Sequence, residues 1–292
     1  MTLTLVQAWT AARRTLQEAG VDQPAIDARL LLEAAAGVSR TDIVTDPHRP
    51  LDEVQMQALD GLLARRARRE PISHILGRKG FWKIMLNVTP DVLTPRADTE
   101  TVVDVALAAL PDGRAASVLD LGAGSGAILL AILSERPAAK GLGVEASLEA
   151  LAVARENAAN LGLDGRAVFF QGDWAAGLGD GEFDLVVSNP PYIPTAVIDT
   201  LEPEVRDHEP RRALDGGADG LDAYRLLAPE ALRVLKPGGV FVFEIGHDQS
   251  SAVEALFRVA GAEGVHTVKD LANRDRVVTG TKKALGISPS TA

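Results

Sequence analysis

Asn189-Pro190-Pro191-Tyr192 follows directly on the apolar run Phe183-Asp184-Leu185-Val186-Val187-Ser188, and its residue types suit the capture of a flat nitrogen. A carboxamide nitrogen shares its lone pair with its own carbonyl, so it is planar and weakly nucleophilic. Two acceptors on its two N–H groups would pull it towards a tetrahedral shape and free that lone pair. The Asn189 side-chain oxygen is one such acceptor, and the Pro190 carbonyl can be the other. Prolines at 190 and 191 fix φ and carry no N–H, so this wall presents acceptors only. Tyr192 adds a flat π-face for a planar acceptor and a nearby cation. The plainer reading is a turn that ends a strand; what lies upstream argues for more.

Upstream, Val118-Leu119-Asp120-Leu121 runs straight into Gly122-Ala123-Gly124-Ser125-Gly126, a strand opening onto a glycine-rich turn and a helix. Glycines there let the backbone turn sharply and lie against a ligand, and the amides of the new helix favour an anionic group such as an amino-acid carboxylate. Glu145 ends the next strand about twenty residues on, where a carboxylate can take both hydroxyls of a ribose. Asp173-Trp174 follows the third strand, offering an acceptor and an indole to an adenine. No second mononucleotide half with its own glycine turn appears, so the pattern suits NAD poorly. Cradle and clamp together suggest methyl transfer from S-adenosyl-L-methionine to an amide or amino nitrogen, leaving S-adenosyl-L-homocysteine. Such a donor is already cationic, so positioning matters more than a strong base.

The elements that must hold these residues are legible from periodicity. Leu5, Trp9, Ala12 and Leu16 share a helical face that stops at Gly20. Asp22 reads as an N-cap for a second helix with Pro24 in its first turn and Gly37 at its end, and a third runs from Asp52 to Arg69. This predicts a small helical domain over 1–70. Residues 71–95 mix glycine and proline with Phe81, Trp82, Ile84, Leu86 and Val88, the pattern of a hairpin linker. Over 96–284 helices alternate with candidate strands 117–121, 141–145, 167–170, 183–188, 240–245, 265–268 and 276–279. That alternation predicts α/β architecture with a parallel, doubly wound sheet. Residues 285–292 read as a flexible tail.

Composition narrows the partners. The 292 residues contain no cysteine, which excludes disulfides and thiol chemistry, and the five histidines lack metal-ligand spacing, so no metal is expected. The longest apolar stretches are far too short to span a bilayer, and no secretory signal is visible; a cytoplasmic, membrane-independent protein is expected. Net charge is −10; residues 1–80 carry 11 basic and 10 acidic side chains, leaving 19 and 30 for the rest. So acidic a larger domain would repel nucleic-acid phosphates and points to a protein or small-molecule substrate. Arg65, Arg66, Arg68 and Arg69 read as a solvated helix end, and Asp199, Glu202, Glu204, Asp207 and Glu209 as mostly solvent-facing acids around the loop beyond the clamp.

The ordered set of motifs resembles the HemK/PrmC family of bacterial protein-(glutamine-N5) methyltransferases. It comprises Asp27-Ala28-Arg29-Leu30-Leu31-Leu32, Pro71-Ile72-Ser73-His74-Ile75-Leu76-Gly77, Leu93-Thr94-Pro95-Arg96-Ala97-Asp98-Thr99-Glu100, the two site motifs, Glu209-Pro210, Leu235-Lys236-Pro237-Gly238-Gly239 and Glu244-Ile245-Gly246. The resemblance implies a seven-stranded class I, Rossmann-like methyltransferase domain behind a helical substrate-recognition domain. It implies cofactor contacts from Asp120, Gly122, Ala123, Gly124, Ser125, Gly126, Glu145, Asp173, Trp174 and Asn189, and a glutamine held by Asn189, Pro190, Pro191 and Tyr192. That glutamine would belong to the Gly-Gly-Gln loop of peptide chain release factors, with a monomeric enzyme and no direct nucleic acid required. Glu145 stands where aspartate is commoner, and Ala97 where proline is usual. Alternatives in the same chemistry are glutamine on a ribosomal protein or the exocyclic nitrogen of adenine, which would call for a basic groove; a non-catalytic sensor of the cofactor would have no use for the clamp.

Overall fold

The computed structural model describes residues 3–284; the tail expected at 285–292 lies outside them. The chain forms two compact units. Among the described residues, the first takes those up to Arg78 together with Leu201–His208, and the second takes Lys79–Thr200 and those from Glu209 onwards.

In the first unit, α1 (Leu5–Glu18) buries Leu5, Ala8, Ala12 and Leu16, while half-buried Trp9 donates its indole N–H to the Ala25 carbonyl at 3.1 Å. α2 (Pro24–Ala36) starts with Pro24 in its first turn, with Gln23 rather than Asp22 as its N-cap, and Gly37 ends it in the left-handed conformation. α3 (Arg40–Thr45) is an element that the periodicity did not reveal, one short helix capped by the Ser39 hydroxyl. α4 (Glu53–Ala67) opens on a capping box between Asp52 and Gln55. α5 (Ile72–Leu76) corrects the expected linker. Residues 72–76 are helical and Ile75 joins the core of this unit with Leu31, Leu32 and Leu59, because burial overrides the local turn signals.

A second correction concerns the basic run. Arg66 is only 6% exposed; its Nε donates to Asp27 at 2.7 Å and its Nη1 to Glu204 at 2.9 Å. Arg69 donates to Glu202 and Glu204, and Arg65 to Glu70. Glu204 is thus a half-buried ion-pair partner rather than a solvent-facing acid. Charged side chains enter an interior when paired, and Asp27, Glu202 and Glu204 lie too far along the chain for periodicity to find.

From Lys79 the second unit takes up the hairpin of β1 (Arg78–Phe81) and β2 (Ile84–Asn87), whose Phe81 and Leu86 are buried. There follow α6 (Glu100–Ala109), β3 (Ser117–Leu121), α7 (Ala127–Glu135), β4 (Lys140–Glu145), α8 (Leu148–Asn160), β5 (Ala167–Gln171) and β6 (Phe183–Ser188). α9 (Thr195–Ile198) lies in this unit, and α10 (Pro203–Arg206) in the segment that belongs to the first. α11 (Asp222–Val234), β7 (Leu235–Glu244), α12 (Ser250–Val259), β8 (Ala262–Lys269) and β9 (Asp275–Lys282) complete the fold. The seven-stranded sheet runs in the order β5-β4-β3-β6-β7-β9-β8. The expectation of parallel pairing holds from β5 to β7 and is corrected beyond. β9 pairs antiparallel with both β7 and β8, because only a few residues join β8 to β9 and a parallel crossover needs a dozen or more.

Side chains alternate across this sheet. On β7, Val242 packs into a cluster with Val102, Leu129 and Leu151 of α6, α7 and α8, whereas Phe241 and Phe243 meet Leu227 of α11 and Phe257 of α12. Phe241 and Phe257 stack with ring centroids 3.9 Å apart. α7 is buried on every side from Ala127 to Leu133, which is why its sequence is so uniformly apolar.

Candidate active site

The chain builds outwards from β3 in one direction, through β4 and β5, and from β6 in the other, so the order reverses between β3 and β6. In open α/β sheets the crevice beyond the carboxyl ends of two such strands is where ligands bind. Here Leu121 and Ser188 are register partners, and the Ser188 hydroxyl donates to the Leu121 carbonyl at 2.6 Å. The next residues are Gly122 and Asn189. The glycine turn and the Asn-Pro-Pro run therefore leave the sheet side by side although 67 positions separate them.

A cavity of about 290 Å³ opens at this place. Gly122, Ala123, Gly124, Ser125, Glu145, Asp173, Trp174, Asn189 and Pro191 all line it. Gly122 has φ 75° and a Cβ there would lie 3.1 Å from the Trp174 ring, so the indole rests directly on bare backbone. Trp174 itself holds φ 50°, a left-handed conformation uncommon for a bulky residue, which aims its ring at this wall. Both Glu145 oxygens accept backbone amides, Oε2 from Gly124 and Oε1 from Ser147, each at 2.9 Å. The carboxylate so ties the glycine turn to the start of α8, and its remaining lone pairs are available to hydroxyls.

Four of the sequence-derived residues sit behind the cavity instead of in its wall. Gly126, at φ 79°, packs where a Cβ would come within 2.9 Å of the Phe169 ring, and so sets the start of α7. Pro190 is buried. Tyr192 donates its hydroxyl to Glu244 at 3.3 Å, and its carbonyl accepts from Gln249 at 3.0 Å. Asp120 is 1% exposed and neither of its oxygens has a well-formed hydrogen bond.

An open main chain at Gly122 and Gly124, a carboxylate at Glu145, an acid beside an indole, and an orphaned buried carboxylate at Asp120 fit an adenosyl amino acid. Two family profiles match the chain: one described as PrmC N-terminal domain over residues 7–77, the other as Methyltransferase domain over residues 112–278. The release factor glutamine methyltransferase of Caulobacter vibrioides is 70% identical over 285 residues, covering 98% of this chain and 99% of its own. Its namesake in Rhodospirillum rubrum is 47% identical over 94% of this chain and 84% of its own. The chain belongs to the release factor glutamine methyltransferase family. A Pyrococcus furiosus methyltransferase structure, 18% identical, superposes with a TM-score of 0.54 over 75% of this chain and 98% of its own, and agrees with the fold.

In this family member, burial pushes the Asp120 carboxyl up to about 7, with the charge of Glu145 adding to the effect and the Leu129 amide opposing it. Burial likewise lifts Glu244 to about 7 against hydrogen bonding from Thr99 and the charge of Arg276. Burial and the Glu244 charge hold the Tyr192 hydroxyl above the usual phenol range. Motif reading gave no role to several residues at or behind the cavity. Arg96, Thr99 and Arg212 line it; Glu209, its side chain 4% exposed, pairs with Arg96 at 2.8 Å, and Arg212 meets the Ser147 hydroxyl. Glu209 is thereby a buried acid, against the expectation of solvent exposure. One local signal was available for Glu244, a lone carboxylate inside the run Val240-Phe241-Val242-Phe243-Glu244-Ile245.

Proposed function

We propose that this chain methylates the side-chain amide nitrogen of the glutamine in the Gly-Gly-Gln loop of bacterial peptide chain release factors. The observation that carries this reading is Asn189 and the glycine turn lining one cavity at the switch point of the sheet. When bound, S-adenosyl-L-methionine supplies a methyl group made electrophilic by its sulfonium sulfur. Gly122, Ala123, Gly124 and Ser125 would border its amino-acid part, with Gly126 shaping the turn and Asp120 placed behind as a carboxylate for the ammonium. Glu145 would accept from the ribose hydroxyls, and Asp173 and Trp174 would receive the adenine. The Asn189 side-chain oxygen and the Pro190 carbonyl would each take one N–H of the glutamine amide, against Pro191, with Tyr192 standing behind that wall. Holding both protons draws electron density back onto that nitrogen and aims its lone pair along one line.

The helical residues 1–70 would recognise the release factor, and 96–284 would perform the transfer. Relatives of this chain carry the release factor in their names, and the acidic balance of the larger domain speaks against a nucleic-acid acceptor. We take the enzyme to be a cytoplasmic monomer that uses neither a metal nor direct nucleic-acid contact, since a cationic methyl donor needs no Lewis acid.

Methyl-labelled S-adenosyl-L-methionine mixed with the protein and recombinant release factor should label the wild-type factor and leave unlabelled one whose loop glutamine is alanine. Label persisting on the alanine form would remove this substrate. Asn189→Ala should abolish labelling while S-adenosyl-L-homocysteine still binds by calorimetry.

A further inference from the structure

Residues 189–191 carry the acceptors of the proposed clamp, yet Pro190 and Pro191 have no N–H with which to anchor themselves. Their direction is therefore set from the two ends. Upstream, Ser188 ends β6 and donates its hydroxyl to the Leu121 carbonyl at 2.6 Å. Downstream, the chain is clasped by residues 214–220. The Ile193 amide donates to the Leu214 carbonyl at 3.0 Å, and the Gly216 amide donates to the Ile193 carbonyl at 2.9 Å. Glycine is what lets this segment come so close. A Cβ on Gly216 would lie 2.8 Å from Tyr192 Cα and 2.9 Å from the Pro191 carbonyl oxygen, and one on Gly220, at φ 76°, would overlap the Tyr192 carbonyl oxygen. A side chain pins the same end. Gln249, the N-cap residue of α12, is 8% exposed. Its Nε2 donates to the Tyr192 carbonyl at 3.0 Å and to the Gly220 carbonyl at 3.1 Å, and its Oε1 accepts the Gly246 amide at 3.0 Å. All three partners are main-chain groups with one possible role each, so this carboxamide can face only one way and both of its N–H groups are engaged.

We propose that Gln249 is a positioning residue for methyl transfer, which fixes the main chain at Tyr192 and through it the direction of the Pro190 carbonyl. With φ set at both prolines, that direction depends on ψ at Pro190 and Pro191, and those two angles follow from where Ser188 and Tyr192 are held. Freeing the Tyr192 carbonyl lets both angles drift, and a small misplacement of an acceptor beside the reacting nitrogen costs rate. Gln249 does not line the cavity, so it acts through the main chain it holds. This role rests on the reading that Asn189 and Pro190 hold the substrate amide, and it adds what keeps them in place.

The test compares Gln249→Met, Gln249→Glu and Asn189→Ala for kcat and KM on release factor, and for S-adenosyl-L-homocysteine binding by calorimetry, which gives both affinity and the number of sites. Gln249→Met keeps the length of the side chain and loses all three bonds. Gln249→Glu keeps an acceptor for the Gly246 amide and turns an oxygen towards two carbonyls. In both, kcat per cofactor-binding site should fall roughly ten- to a hundredfold, with KM for release factor and cofactor affinity unchanged. A merely structural residue would lower the number of sites and leave each at the wild-type rate; that outcome, or a loss of cofactor affinity in step with rate, overturns the proposal. A fall in Gln249→Met alone would place the effect at Gly246, and a fall in Gln249→Glu alone would report the introduced charge; either overturns it too. If Asn189→Ala is inactive while both Gln249 variants turn over at the wild-type rate per site, the positioning role is wrong and the clamp stands. If Asn189→Ala itself is fully active, clamp and positioning role fall together. Should Gln249→Glu not fold, Gln249→Met decides the matter.

Discussion

Asp120 is a carboxylate shut inside the molecule without a good partner, and its ionisation is therefore set against folding. Its folded-state pKa of about 7 exceeds the roughly 3.9 of an unfolded aspartate, so the native state holds the proton more tightly. The resulting stabilisation is full below about pH 4 and is lost as pH rises through about 7; Glu244 acts in the same direction. Asp120→Asn cannot ionise. Thermal melts of the ligand-free protein should show this variant gaining on the wild type between about pH 4 and about pH 7, by a few kcal/mol at most. A gap that is constant with pH would contradict the burial argument. Gly126 presents a steric counterpart. Alanine there meets the Phe169 ring at 2.9 Å with φ held at 79°, and should cost about 1–3 kcal/mol in urea unfolding.

Among elements, the clearest case is the pairing of α4 with the segment that carries α10. Arg66 satisfies Asp27 on α2 and Glu204 on α10 at once, with its side chain 7% exposed. Deleting one member of a buried ion network leaves the others desolvated and unpaired, which costs more than the network contributes. Arg66→Ala should destabilise the helical unit by about 3–5 kcal/mol. Amides of Leu201–His208 should then exchange hydrogen faster than in the wild type, a change visible by mass spectrometry. By contrast Arg14 and Glu18, both well exposed on α1, form a pair whose removal should be near neutral.

For the whole molecule, we propose that the two units divide the work. Every residue lining the cavity lies in Lys79–Thr200 or beyond Glu209, that is, in the second unit. A fragment lacking the first 78 residues should therefore bind S-adenosyl-L-homocysteine in calorimetry yet methylate release factor far more slowly than the full chain. Equal turnover by that fragment would deny the helical unit its role in substrate recognition.

Local signals carried much of this protein. Glycines before Ala127, prolines after Asn189 and the change of period from 3.6 to 2 are properties of neighbouring residues, so the α/β alternation and the two runs that border the cavity could be read directly. Even the limits of β3 and β6 agree with that reading. What tertiary structure alone decided is which distant residues became neighbours. The register of Leu121 on Ser188 sets the glycine turn beside Asn189; the fold of β8 and β9 turns the sheet antiparallel; Arg66 finds its acids on two other elements. Thr99 comes to stand beside Asn189, and Glu244 beside Tyr192, in the same way. Their physical cause is burial: groups far apart in sequence are pressed together out of water, and each polar one must find a partner among whatever the packing brings to it.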